Sequence, residues 1–139
     1  MVFLFDFLIV SGQMTPGRKK YYLPAIAWAI MIAIVSSIPN LSTPRIGLTM
    51  TDKVAHFIEY FILGLLTSRA LRAFVKKPIS NFWISSALAA CYGILDELHQ
   101  LIIPGRSTEA TDMVADILGA LLASAIYVQS IQRQRISRS

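Results

Sequence analysis

Tyr92-Gly93-Ile94-Leu95-Asp96-Glu97-Leu98-His99-Gln100, continuing as Leu101-Ile102-Ile103-Pro104-Gly105-Arg106, decides how the rest of this sequence is read. The residues before it, Phe82 to Cys91, are almost entirely apolar. Two carboxylates, a histidine and a glutamine then fall within five positions, before the apolar run has ended. Ionisable groups inside a membrane helix are costly and rarely incidental, so this stretch marks a functional site. The other segments are read by asking what faces it.

The chain has 139 residues, 55% hydrophobic and only 15% charged, with room for one domain. Mean hydropathy is positive. A soluble domain of this size needs more polar surface, so the class is an integral membrane protein. Net charge is +5, but the basic residues sit in short clusters between apolar runs. No basic face with interleaved aromatics exists, and nucleic acid is not expected as a partner. The single cysteine, Cys91, lies mid-helix, so no intrachain disulfide forms.

Outward from the opening stretch, the expected fold is all-α, a polytopic membrane protein of four transmembrane helices. The first helix is expected over about Tyr21 to Ile38, with Pro24 in its first turn, as a scaffold and lipid-facing wall. Turn formers fill Pro39 to Met50. The second helix starts at Thr51-Asp52, with Thr51 as N-cap, and runs to about Leu71. At about 100° per residue, Asp52, His56 and Glu59 share one narrow face, flanked by Lys53 and Tyr60. The third helix covers about Asn81 to Ile103, closed by Pro104-Gly105. Tyr92, Asp96, His99 and Gln100 share a face there, while Glu97 points aside and can reach only a neighbouring helix. The fourth helix runs from near Asp112 to about Ile131. Its stripe of Asp112, Asp116, Gly119 and Ala123, with Ala120 and Ser124 beside it, favours close helix packing. Residues 1–20 read as an N-terminal tail, with 1–13 dispensable if Met14 is the natural start. Residues 21–131 read as the membrane domain and 132–139 as a frayed basic tail.

Arginine and lysine counts orient the chain. With both termini cytoplasmic, Arg18, Lys19, Lys20, Arg69, Arg72, Lys76, Lys77, Arg133, Arg135 and Arg138 lie inside. Only Arg45, Lys53 and Arg106 remain outside, a strong positive-inside bias. At 1.5 Å per residue, Glu59 and Asp96 lie about 10 Å below the outer surface, and Asp116 about 6 Å below Asp112. Every acidic residue except Asp6 is then in the outer half, which predicts a polar pocket open to the extracytoplasmic side.

Thr51-Asp52-Lys53-Val54-Ala55-His56-Phe57-Ile58-Glu59-Tyr60, with Leu63-Gly64, resembles the first signature of the VanZ-like family of small bacterial membrane proteins. Tyr92-Gly93 through Asp96-Glu97 to Gln100, then Pro104-Gly105-Arg106-Ser107 and Asp112, resembles its second. The resemblance extends from about Tyr21 to Val128. It implies a four-helix protein of the bacterial cytoplasmic membrane, associated in the family's namesake with resistance to the glycopeptide teicoplanin. Family members typically carry asparagine where this chain has Asp116, so the resemblance points to Asp112 more firmly than to Asp116. It supplies no biochemical activity.

Three functional readings follow from the residues. The first is an enzyme acting on a membrane lipid or cell-envelope precursor, with His56, Glu59, Asp96 and Glu97 as candidate acid/base groups. In it Glu97 or Asp96 exchanges the proton, His56 partners it, and Arg106 clamps an anion through its bidentate fork. Asp52, Lys53, Tyr60, His99, Gln100, Arg106, Asp112 and Asp116 are the candidate substrate-binding residues. Carboxylates plus histidine suit a divalent metal, but no HExxH-type spacing occurs, and no metal ligand or cofactor is assigned. The second reading is a non-catalytic binder or transporter of an anionic lipid head group, glycopeptide or ion. The third is packing alone, with Asp52–Lys53, Glu59–His56 and Glu97–Arg106 as paired charges. Ser107 and Thr108 read as helix caps rather than nucleophiles. Nothing in the sequence specifies an oligomeric state.

Overall fold

The computed structural model describes residues 19–40, 50–106 and 108–137, and the regular structure among them is entirely helical. The elements in order are α1 (Lys19–Ser36), α2 (Met50–Leu71), α3 (Pro78–Gln100) and α4 (Ala110–Ile136). The segment 1–13, expected to be dispensable, lies outside the described residues, as does the side chain of Thr51, the expected N-cap of α2. The helices α2, α3 and α4 are each long and apolar enough to cross a membrane. Helices suit that setting because their backbone groups are bonded within the segment. Ile58, Trp83, Leu95, Leu98, Leu118 and Leu122 point outward from the bundle.

Several boundaries differ from the sequence expectation for local reasons. The first helix begins at Lys19, so Pro24 lies just beyond its first turn, where it has no N–H to donate to the Lys20 carbonyl. The Tyr21 ring receives Lys20 at 5.3 Å and Arg69, from the far end of α2, at 5.8 Å. The third helix starts at Pro78 rather than Asn81, because proline's fixed φ suits the first helical position. It also ends earlier, at Gln100. Beyond it, Leu101, Ile102 and Ile103 donate back to Glu97 O, His99 O and Gln100 O in a tightened turn. That turn leads to Pro104 and to Gly105, whose φ of +76° needs glycine. Asn40, just past α1, donates to Pro104 O at 3.0 Å and ties the two chain ends together. The fourth helix continues to Ile136, so much of the expected frayed tail is helical. No glycine or proline occurs between Val128 and Ile136, the glutamines and arginines there are good helix formers, and Val128 and Ile131 are buried.

Small residues set the packing. A Cβ on Gly119 would collide with the Phe57 carbonyl, so α4 lies directly against the α2 backbone there. The stripe of Asp112, Asp116, Gly119 and Ala123 is buried in the bundle, as its spacing suggested. The apolar centre consists of Ala29, Ile32, Tyr60, Leu63, Ala89 and Ala120. A polar layer lies on each side of it.

Candidate functional site

Along α2 the buried line is His56, Tyr60 and Leu63, at the i, i+4, i+7 spacing of one helix face. One turn above the apolar centre it meets Glu97 of α3 and Asp116 of α4. His56 Nδ1 is 3.1 Å from Asp116 Oδ1 and 3.6 Å from Glu97 Oε1. The donor atoms of the three residues all lie within 4.8 Å of one another. Glu97 is 0% exposed, Asp116 1% and His56 9%. Both Glu97 carboxylate oxygens, Asp116 Oδ2 and the Tyr60 hydroxyl are buried with no hydrogen-bond partner among the described residues.

Room for this cluster is made by Gly93. A Cβ there would stand 2.9 Å from Asp116 Cβ, 3.0 Å from Asp116 Oδ2 and 3.1 Å from Tyr60 Cε1. Glycine in α3 therefore lets the Asp116 side chain lie against the helix that carries Glu97. Thr108 Oγ1 donates to the Glu97 carbonyl at 3.0 Å, which holds the loop after α3 over the end of that helix. Thr108 is thus not the cap of α4, whose N-cap residue is Glu109. Ser107 lies outside the described residues.

A second set of bonds runs from α3 to α1. Asp96 accepts from Ser36 Oγ at 2.6 Å and from Gln100 Nε2 at 3.0 Å. His99 Nε2 lies 3.0 Å from Ser37 Oγ. The Tyr92 hydroxyl donates to Ala29 O at 2.6 Å, and Trp28 Nε1 donates to Glu59 O at 3.0 Å. The expectation that α1 is only a lipid-facing wall is corrected by these contacts. Its last turn supplies Ser36 and Ser37 to the polar layer, where serine offers no periodic signal to read.

The expected charge pairs also differ. Lys53 pairs with Glu109 at 2.8 Å and Asp112 at 3.1 Å, which ties α2 to the start of α4. His56 meets Asp116 and Glu97 rather than Glu59, which is half-buried and outside the cluster. Arg106 donates through Nη2 to Val35 O at 2.9 Å and does not meet Glu97, because the turn after α3 directs it toward α1. Its Nε is buried without a partner among the described residues. Asp52 lies half-buried in the first turn of α2, away from the cluster. Glu109, in the loop, has its carboxyl held below the usual range, chiefly by the hydrogen bond from Lys53.

Of the proposed residues, His56, Glu97 and Asp116 therefore form one tight group, with Tyr60 beneath them. Lys53 and Asp112 form a second group above, and Asp96, Gln100 and His99 a third toward α1. Asp96, Asp112 and Gln100 are nearly as buried as the central three.

On the other side of the apolar centre lies a polar layer not anticipated from the sequence. Ser68, Ser85 and Ser124 form a triangle of hydroxyl contacts of 2.8, 3.0 and 3.2 Å. Asn81 Nδ2 donates to Ser68 O. A cavity of about 140 Å³ adjoins it, lined in part by Arg72, Lys76, Asn81 and Arg135. Single serines in apolar runs read equally well as packing residues, so only the fold reveals their convergence.

No curated protein and no solved structure matches the chain. A family model described as VanZ/LLP1 matches residues 2–132, nearly its whole length.

Proposed function

The chain belongs to the VanZ/LLP1 family, and from that premise we propose a four-span protein of the bacterial cytoplasmic membrane that acts on a lipid or cell-envelope precursor near the outer face. Both termini are cytoplasmic in this reading, in keeping with the ten basic residues on that side. The fourth span is α1, whose 18 residues reach about 27 Å at 1.5 Å per residue, close to the hydrocarbon thickness.

The observation that carries the chemistry is the buried contact of His56 with Asp116 beside an unpartnered Glu97. A carboxylate at Nδ1 holds an imidazole in one orientation and leaves Nε2 to take or give a proton. Glu97 supplies a second proton-transferring group within the same cluster. Arg106 and Lys53 border the site as cations for an anionic substrate group. Such chemistry on an envelope precursor would underlie the teicoplanin protection that the family resemblance implies.

A non-catalytic reading, ion or head-group binding, is favoured by a different observation. Lys53 is paired with Glu109 and Asp112 and Arg106 is bonded through Nη2, whereas neither carboxylate oxygen of Glu97 has a hydrogen-bond partner among the described residues. That asymmetry favours a cationic ligand over an anionic one.

Expression in a teicoplanin-sensitive bacterium tests the enzymatic reading. Glycopeptide susceptibility is measured beside the mass spectrum of extracted lipids and peptidoglycan precursors, for wild type and His56→Ala at matched membrane levels. A precursor or lipid altered by wild type and restored by His56→Ala is the expected result. Unchanged extracts with changed susceptibility would replace catalysis by binding, and no change in either would overturn the envelope role.

A further inference from the structure

We propose that His56, Glu97 and Asp116 bind one divalent first-row metal ion, of which zinc is the best fit. The inference rests on the reading of this cluster as a working site, but it concerns occupancy and is tested without any activity.

The argument begins with a proton count. A histidine nitrogen carries at most one hydrogen, yet two carboxylates face His56 Nδ1. Asp116 is close enough to accept that hydrogen at 3.1 Å, while Glu97, at 3.6 Å, is not. Both Glu97 oxygens and Asp116 Oδ2 are left without partners although the two residues are 0% and 1% exposed. Buried polar groups are bonded in nearly all proteins, and buried charges are paired or coordinate metals. One cation held by one atom of each side chain gives the buried Glu97 carboxylate the partner it lacks and balances both carboxylates at once.

Spacing agrees with that. Ligand atoms at about 2.0–2.2 Å from a tetrahedral ion lie roughly 3.3–3.5 Å apart. The two histidine–carboxylate separations, 3.1 and 3.6 Å, bracket this range, and all three ligand atoms lie within 4.8 Å of one another. The ligands come from three different helices, so the ion would clasp α2, α3 and α4 at one level. Three protein ligands leave a fourth position for water or substrate, the pattern of catalytic rather than structural zinc sites.

Donor chemistry selects the class of ion. One imidazole and two carboxylates carry a formal charge of −2, matched by a divalent cation. Imidazole disfavours Mg²⁺ and Ca²⁺, which take all-oxygen shells, and a thiolate-seeking ion such as Cu(I) finds no sulfur. The lone cysteine, Cys91, is exposed on the outside of α3.

The test uses the full chain in lipid nanodiscs, with any affinity tag removed. Endogenous metal is stripped with a chelator, and Zn²⁺ or Co²⁺ is added back. Mass-spectrometric metal analysis after desalting is expected to give about one ion per wild-type chain. Co²⁺ is expected to produce the visible absorption of a four-coordinate nitrogen–oxygen site. Glu97→Gln and Asp116→Asn are expected to weaken binding by at least about tenfold, the size of effect that even outer-sphere partners exert. His99→Gln, which removes the only other histidine, is expected to retain the ion. Wild-type protein that retains neither ion after stripping and reloading would overturn the proposal, and so would full retention by folded Glu97→Gln and Asp116→Asn. If those variants do not fold, the wild-type stoichiometry and cobalt spectrum still decide. Failure here leaves the envelope assay intact, and failure there leaves occupancy intact, so the two readings fall separately.

Discussion

Gly93→Ala separates the site from the fold. The added methyl carbon would stand 2.9 Å from Asp116 Cβ and 3.1 Å from the Tyr60 ring. Ordinary carbon contacts begin near 3.4 Å, so Asp116 must move by about 0.5 Å in a well-packed interior. Overpacking of this kind costs about 1–3 kcal/mol. Alanine's better helix propensity offsets up to about 1 kcal/mol of that. The net loss of stability is therefore about 0–3 kcal/mol, a modest shift in thermal unfolding. The site has no such tolerance. A displacement of that size takes the 3.1 Å His56–Asp116 contact out of hydrogen-bonding range or compresses it. The expected result is protein that unfolds within a few degrees of wild type but shows a Zn²⁺ affinity lowered about tenfold or more. Thermal unfolding of purified protein, run beside metal titration, reads both quantities on one sample. Wild-type affinity in Gly93→Ala would refute the role assigned to this glycine. A collapse in stability together with the affinity would show that Gly93 serves packing alone.

Three further outcomes are expected. Ser85→Ala breaks the hydroxyl triangle with Ser68 and Ser124; it is expected to cost about 1 kcal/mol, in the range of interhelical hydrogen bonds in membranes, and to leave metal binding unchanged, as read by unfolding and titration. Lys53→Ala is expected to lower stability at neutral pH and to flatten its dependence on acid. Glu109's carboxyl is depressed by Lys53 in the folded state, so its contribution is present above the unfolded pKa and lost as pH falls through the lower folded value, and an unfolding series across acidic pH checks this. Reporter fusions at the C-terminus and in the connection between α3 and α4 are expected to report cytoplasm and exterior respectively; the reverse would invert the topology.

The opening stretch, Tyr92 to Arg106, was legible in the sequence to the degree that its chemistry follows helix geometry. Glu97 is set aside from the Asp96–Gln100 face by about 100° per residue and so faces a neighbouring helix, and it is directed to His56 of α2. The α4 stripe was legible because small residues at four-residue spacing have one main use. On α2 the same wheel grouped Glu59 with His56, but the buried line runs on through Tyr60 and Leu63 and leaves Glu59 half-covered. Which charge meets which depends on how neighbouring helices turn toward each other, and single-helix periodicity is silent on that. Arg106 illustrates the point: its turn places it beside Val35 rather than Glu97. Ser36 and the inner serines were missed because serine in an apolar run carries no directional signal. Asp116, where the family resemblance favoured Asp112 instead, lies against His56, while Asp112 is paired with Lys53.

The claim that the buried His56–Glu97–Asp116 cluster works, rather than merely packs, is tested most directly by Glu97→Gln. This isosteric change removes a charge but keeps the volume. Thermal unfolding of the purified variant is measured beside the change it produces in glycopeptide susceptibility and in envelope composition. The expected result is a protein that folds and unfolds within a few degrees of wild type yet has lost its effect on the cell. Retained effect, or a loss that only follows reduced stability and membrane abundance, would contradict the account and assign the cluster to packing.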